Sequence, residues 1–192
     1  GTIRDLTVRR QTEAALRLRD AALQAAANVV VMTDRQGKIL WTNAAFTRVT
    51  GYTAEEALGG NPRVLKSGAH DAGFYANLWA TILAGHVWQG EIVNRHKDGH
   101  CFIEDTTITP VRGDDGEISH FIAVKQDITE RKQAEENYRM LFREMLNGFA
   151  LHEVLCDEQG QPVDYRFLAV NPMFERLTGL KASALIGRTV RE

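Results

Sequence analysis

A nine-residue stretch occurs twice in this chain, and the spacing of its copies limits the folds that the chain can adopt. Residues 5–13 read DLTVRRQTE, and residues 127–135 read DITERKQAE. A second pair agrees, because residues 43–51 (NAAFTRVTG) return as residues 171–179 (NPMFERLTG). Solenoid repeats are roughly 20–50 residues long, whereas this spacing is that of a small domain. The sequence therefore predicts serial modules, cut from a longer protein.

Composition narrows the class of protein. A hydrophobic content of 44% and a charged content of 25% are typical of a globular protein. The formal net charge of -2 offers no basic field for a nucleic-acid partner. No apolar run approaches the roughly 20 residues of a membrane helix, and we find no signal peptide. We expect Cys101 and Cys156 to be half-buried free thiols, which favours a cytoplasmic location.

The order of predicted elements indicates an α+β fold. Two short strands are followed by short helices, a longer helix from Asp71 to Leu83, and three further strands. This order predicts a five-stranded antiparallel sheet with short helices on one face, flanked by amphipathic linker helices. The expected parts are a linker helix at 1–27, a complete domain at 28–129, a linker helix at 130–146, and the N-terminal part of a second domain at 147–192. We expect the later strands of that second domain to lie beyond Glu192.

A set of short motifs in the complete domain resembles the PAS domain family. They are Asn43, Thr50-Gly51-Tyr52, and residues 59–65 (GGNPRVL), 88–91 (WQGE), 94–99 (NRHKDG), 109–111 (TPV) and 127–129 (DIT). The resemblance implies a PAS fold and a sensory and dimerising role in a histidine kinase, a cyclic-di-nucleotide enzyme or a transcription regulator. Members of the family often hold a cofactor between the sheet and the short helices.

Aromatic and amide side chains in this domain suggest a site for a flat ring system. Trp79 on the long helix and Trp88 on the next strand can supply aromatic walls. Asn94 lies on the same side of that strand as Trp88, because side chains alternate with period two. Its amide both donates and accepts, as the edge of an isoalloxazine requires. Asn61 can supply a second amide.

The same residues resemble the flavin-binding PAS domains of bacterial redox regulators. In that group, which controls nitrogen fixation and methane oxidation, the matching tryptophans and strand asparagine contact FAD. The light-sensing branch of flavin PAS domains has Asn-Cys-Arg where this chain has Asn61-Pro62-Arg63. Pro62 therefore excludes a cysteine adduct, whereas Arg63 matches an arginine that binds the flavin phosphate. Lys125 is a further candidate for the polar edge.

Two alternatives to a flavin stay open. The tryptophans can be core residues and Asn94 can bind backbone, in which case the domain is a cofactor-free module for dimerisation and signal relay. Haem is disfavoured, because it requires an axial ligand and residues 72–84 contain no histidine. We expect the nearby histidines to be exposed to solvent; they are His70, His86, His96 and His100.

No pattern of residues indicates catalysis. We recognise no phosphate-binding glycine loop, no metal-ligand cluster and no nucleophile with a base at a motif spacing. We interpret three acid pairs as capping or turn residues on solvated faces: Glu55-Glu56, Glu104-Asp105 and Asp114-Asp115. The sequence therefore predicts a cytoplasmic sensor of redox state or oxygen, which binds FAD and is not itself an enzyme. We expect a homodimer that relays the signal through its linker helices to an output domain of the same chain, a histidine kinase or a diguanylate cyclase.

Overall fold

The computed structural model describes residues 3–191, and the side chains of residues 13–191. The chain divides after Thr129 into two compact units. The helices of the first unit are α1 (Ile3–Ala25), α2 (Ala44–Thr50), α3 (Ala54–Ala57) and α4 (Ala72–Leu83), with a 3-10 turn at Pro62–Leu65. Its strands are β1 (Val29–Asp34), β2 (Ile39–Thr42), β3 (Trp88–Arg95), β4 (Cys101–Arg112) and β5 (Ile118–Asp127).

The five strands form one antiparallel sheet in the order β2-β1-β5-β4-β3. The predicted α+β fold with a five-stranded antiparallel sheet is therefore confirmed. One face of the sheet packs against the helices. Alternate residues at the start of β4 are buried on that face, whereas all three valines at the start of β1 are buried. The core has two clusters. One includes Val31, Ile39 and Phe46, and the other includes Leu78 of α4 and Phe121 of β5.

Capping residues set the helix boundaries, as the sequence predicts. The side chain of Asp71 accepts a hydrogen bond from the backbone N–H of Phe74, which begins α4. Thr53 and Glu56 form a capping box at the start of α3, so the interpretation of Glu56 as a capping residue is confirmed. Gly51 ends α2 with φ of 76°, a left-handed conformation that favours glycine.

The second unit contains a hairpin and two short helices. Helix α5 (Thr129–Glu144) leads into it, and the hairpin pairs β6 (Ala150–Cys156) with β7 (Pro162–Val170). Helices α6 (Pro172–Thr178) and α7 (Ala182–Leu185) follow. Among the described residues, no helix combines the length and hydropathy that crossing a bilayer requires.

Some predicted boundaries and environments differ from the structure. Helix α5 ends at Glu144 rather than at residue 146. Cys101 and Cys156 are exposed rather than half-buried, since each lies at the end of a strand beside a turn.

Candidate ligand-binding cavity

A cavity lies between the inner face of the sheet and the layer formed by α4 and the 3-10 turn. Its empty volume is about 900 Å³, a figure that includes the opening to solvent. Most of the lining is apolar and comes from four strands and α4: Val31, Leu78, Trp79, Ile82, Ile92, Ile108, Phe121 and Ala123. An apolar slot of this kind suits a flat ring system.

The two predicted tryptophan walls have different positions. Trp79 lines the cavity and meets Phe121 edge to face, with ring centroids 6.0 Å apart. Its ring lies so close to Gly37 that a Cβ there would be 2.8 Å from Cη2. Trp88 does not line the cavity. It is buried in the core beside it, where its ring lies over Gly90 and meets Phe74 edge to face at 5.7 Å.

The polar end of the cavity is built on three adjacent strands. Asn94 of β3 and Lys125 of β5 line the cavity, and Glu104 of β4 lies between them. Asn94 Nδ2 donates to Glu104 Oε2 over 2.5 Å, and Lys125 Nζ donates to the same oxygen over 2.7 Å. The side chains of Lys125 and Glu104 are 8% and 0% exposed. A buried carboxylate therefore holds both cavity-facing donors in place.

The sequence interpretation placed Glu104 wrongly. It is wholly buried rather than on a solvated face, because it alternates with Phe102 and Thr106 on the inward side of β4. That alternation was visible in the sequence and could have identified it. The interpretation as a residue on a solvated face fits Asp105 better, since Asp105 points to the outer face of the sheet and is partly exposed.

Two hydroxyl groups of the lining have no hydrogen-bond partner among the described residues. They are Thr106 Oγ1 on the sheet and Tyr75 Oη on α4, and both are buried. Burial also raises the pKa of Tyr75, so its phenol stays a donor at neutral pH. Buried polar atoms are nearly always paired in proteins. These two are therefore available to the polar groups of a bound molecule.

The mouth of the cavity carries basic and amide groups. Asn61 caps the 3-10 turn by accepting from the N–H of Arg63 over 3.0 Å, and its Nδ2 lies toward Gly37. Arg63 and Lys66 also line the cavity and are exposed. Lys66 Nζ lies 3.5 Å from the centroid of the Tyr75 ring. The mouth therefore presents two cations to solvent.

The segment after this turn covers the outer edge of β3. Ser67 Oγ donates to the carbonyl of Val93, and the N–H of Val93 donates to His70 Nε2 over 2.8 Å. His70 is thus partly buried rather than solvent-exposed, contrary to the sequence interpretation, because it takes the place of a neighbouring strand. His96 is also partly buried, whereas His86 is exposed as predicted.

The strand that carries Glu104 also holds the start of α5. The N–H of Ile103 donates to Thr129 Oγ1, and the N–H of Ile128 donates to the carbonyl of Ile103, both over 2.9 Å. Asp127 accepts from the N–H and the hydroxyl of Thr129. Residues 127–129, which belong to the second copy of the repeated motif, thus fix the beginning of α5 one residue from Glu104. The side chains of its first copy, at residues 5–7, lie outside the described residues.

Two protein-family models, both described as PAS domain, match the chain, one over residues 27–130 and the other over residues 136–192. The chain belongs to the PAS domain family and is a signalling module of that family. It is similar to the nitrogen fixation regulatory protein of Klebsiella oxytoca, with 33% identity over 144 residues, 73% of this chain and 29% of that protein.

Light-responsive proteins are also similar to the chain. The blue-light-activated histidine kinase of Rhizobium johnstonii is 37% identical over 97 residues, 50% of this chain and 28% of the kinase. The solved structure of an RNA-binding Light-Oxygen-Voltage receptor matches with a TM-score of 0.61 and 28% identity, over 68% of this chain and 37% of that chain. The chain thus spans less than a third of the length of the Klebsiella relative.

Proposed function

We propose that the first unit binds a flavin, FAD, in the cavity and transmits its redox state to α5. The observation that carries the proposal is the continuous path from Asn94 and Lys125 through Glu104 to the strand that holds Thr129. The chain's resemblance to flavin-binding redox regulators supports the choice of cofactor.

The chemistry of the cavity lining supports an isoalloxazine ring as the ligand. Trp79 and the aliphatic lining supply apolar walls, and the polar groups are concentrated at the sheet end. Asn94 has donated one N–H to Glu104, which leaves its amide oxygen and a second N–H for a ligand. Lys125 retains two further N–H donors. This set can meet the alternating donors and acceptors of the ring edge.

The mouth of the cavity fits the phosphate-bearing end of the cofactor. Arg63 and Lys66 are the cations there, and a guanidinium matches phosphate geometry with two parallel hydrogen bonds. We assign the phosphate contact to Arg63, because Lys66 lies over the Tyr75 ring. Asn61, beside Arg63, is the second amide of the proposed site.

Redox signalling would act through the polar cluster. Bound flavin supplies electron transfer coupled to a proton at its N5 edge, and this exchanges an acceptor for a donor there. Asn94 and Lys125 would then change their hydrogen bonds with the ring and with Glu104. Glu104 adjoins Ile103 on β4, so a shift of its carboxylate would alter the support of Thr129. The cofactor biases this junction only by its differential interaction with the two arrangements.

The proposed module works within a larger protein. We propose that it is a cytoplasmic homodimer without catalytic activity of its own. It would pass its state through α5 to an output domain of the same chain, a histidine kinase or a diguanylate cyclase. The apolar residues along α5, which include Tyr138 and Leu141, are exposed and support helix pairing.

The experiment that tests flavin binding uses a cavity-filling variant with a matched control. Ala123 lines the cavity, whereas the next residue, Val124, lies on the opposite face of β5 and is exposed. We expect the purified chain to be yellow, or to become so with FAD or FMN, and to bleach on reduction. Ala123→Phe should abolish the colour and Val124→Phe should retain it. A chain that stays colourless with both flavins would refute the proposal.

A second candidate is a cofactor-free module for dimerisation and relay. The buried ion pair favours it, because Glu104 and Lys125 satisfy much of each other's charge without a ligand. This candidate predicts a colourless protein whose mass in solution is that of a dimer. Replacing Leu141 of α5 by a charged residue should then yield a monomer.

A further inference from the structure

A cluster of three possible metal ligands lies at the tip of the β3–β4 hairpin, outside the cavity. It consists of His96, Asp98 and His100, whose ligand atoms all lie within 4.8 Å of one another. Asp98 Oδ1 is 2.9 Å from His96 Nδ1 and 2.6 Å from His100 Nδ1. The two imidazole rings are stacked, with centroids 4.5 Å apart.

The hairpin itself brings the three side chains together. The N–H of His96 donates to the carbonyl of His100 over 2.8 Å, so the two histidines lie opposite each other. Opposed residues of an antiparallel pair project their side chains to the same face. Asp98 lies in the turn between them and folds back, because its Oδ1 accepts from the N–H of His100 over 3.1 Å.

The contacts of His96 Nδ1 point to a cation. The N–H of Asp98 donates to this nitrogen over 3.2 Å, while the carboxylate of Asp98 lies 2.9 Å from it. The nitrogen can accept from the amide or donate to the carboxylate, but it cannot do both. When it accepts, two lone pairs face each other. A positive ion between them removes that repulsion.

The support and exposure of the side chains suit coordination. The N–H of His100 holds the Asp98 carboxylate beside the two imidazoles. The Nε2 edge of His96 packs against Gly51, where a Cβ would lie 2.5 Å from Cε1. His96 therefore directs Nδ1 toward the cluster. Asp98 and His100 are 63% and 59% exposed, so an ion can enter from solvent.

We propose that His96, Asp98 and His100 bind one divalent late-transition-metal ion, with water in the remaining positions. Two imidazoles and a carboxylate favour Zn²⁺, Co²⁺, Ni²⁺ or Cu²⁺ over Mg²⁺ or Ca²⁺. Ligand atoms about 2.1 Å from a tetrahedral zinc lie about 3.4 Å apart. Asp98 Oδ1 is 2.6 and 2.9 Å from the two nitrogens, so each of these distances must lengthen by about 0.5–0.8 Å to admit the ion. The site does not depend on the proposed flavin.

The test is a titration of the full chain, without a polyhistidine tag, with Zn²⁺ by calorimetry and with Co²⁺ by visible absorption. We expect one equivalent of each to bind and Mg²⁺ to give no signal. Asp98→Asn and His100→Ala should each weaken Zn²⁺ binding by about tenfold or more. Both positions are exposed, so the variants should fold, and circular dichroism checks this. His86→Ala, which removes an exposed histidine outside the cluster, should bind as the parent does. Absence of stoichiometric Zn²⁺ binding, or equal affinities of His100→Ala and His86→Ala, would overturn the proposal.

Discussion

The buried ion pair between Lys125 and Glu104 gives a quantitative prediction for stability. In the Lys125→Met variant, the Glu104 carboxylate keeps only the hydrogen bond from Asn94, because Oε1 already has no partner among the described residues. Removing one partner of a buried pair costs about 3–5 kcal/mol. A loss of about 3 kcal/mol lowers the Tm of a domain of this size by about 12–24 °C.

A second substitution, Glu104→Gln, separates the cost of the unpaired charge from the cost of lost packing. Glu104→Gln keeps an acceptor for Asn94 and removes the charge. The double variant with Lys125→Met should therefore be more stable than Lys125→Met alone, with a coupling energy of about 2 kcal/mol or more. Lys97→Met is the control. Its ion pair with Glu56 is about half exposed and is screened by solvent, so its loss should cost much less than that of the buried pair.

Urea unfolding followed by tryptophan fluorescence measures the stability of the first unit, which contains the ion pair. All three tryptophans belong to the first unit, at positions 41, 79 and 88. Circular dichroism on the same samples shows whether the second unit unfolds separately. The reasoning would be refuted by a Lys125→Met cost similar to that of Lys97→Met, or by additive effects within about 0.5 kcal/mol in the double variant.

Three further substitutions test other parts of the fold. Thr129→Val removes the acceptor of the Ile103 N–H, so it should cost about 1–3 kcal/mol and speed exchange of that amide, whereas Thr129→Ser should not. Asn43→Ala removes a buried amide that accepts from the N–H of Val30 and donates to the carbonyl of Asn28, so it should cost about 2–3 kcal/mol by urea unfolding. The pKa of Glu56 is lowered, first by the hydrogen bond from Lys97, so its contribution to stability is present above its unfolded pKa and is lost as the pH falls through its folded pKa. Glu56→Gln should therefore flatten the decline in stability as the pH falls below about 4.5, the ordinary pKa of a glutamate, measured by urea unfolding at each pH.

Local signals in the sequence predicted most of the fold because they act over a few residues. The Asp71 cap, the capping box at Thr53 and the glycine at residue 51 each satisfy or end a helix through neighbours in the chain. Strand alternation likewise predicted that Trp88 and Asn94 share a face of β3, and five of the six predicted site residues line the cavity. Their role in binding a cofactor stays a prediction.

The parts that were not predicted depend on contacts between distant strands. Glu104 is buried because Asn94 and Lys125 reach it from the strands on either side. Composition alone favours an exposed carboxylate, since an unpaired buried one is costly. Trp88 shows a second limit of prediction from the sequence. The alternation of side chains along a strand gives the face on which a residue lies, but not its distance from the cavity. Trp88 shares a face with Asn94 but lies at the far end, in the core.

The repeated asparagine explains why the modules are recognisable in the sequence at all. Asn43 Oδ1 accepts from the N–H of Val30, and its Nδ2 donates to the carbonyl of Asn28. Asn171 makes the same pair of bonds to Phe149 and Asn147 in the second unit. In each unit the amide ties the helix that follows the hairpin to the residues that precede it. A buried amide needs all of these partners, so a replacement would leave backbone groups unpaired. The repeated asparagine thus marks the point where each hairpin is hydrogen-bonded to the residues before it. The DIT motif marks the point where the first unit is hydrogen-bonded to the linker helix after it. Both sets of hydrogen bonds hold whether or not the cavity binds a flavin, so a redox signal could reach α5 only by rearranging bonds that the fold already uses.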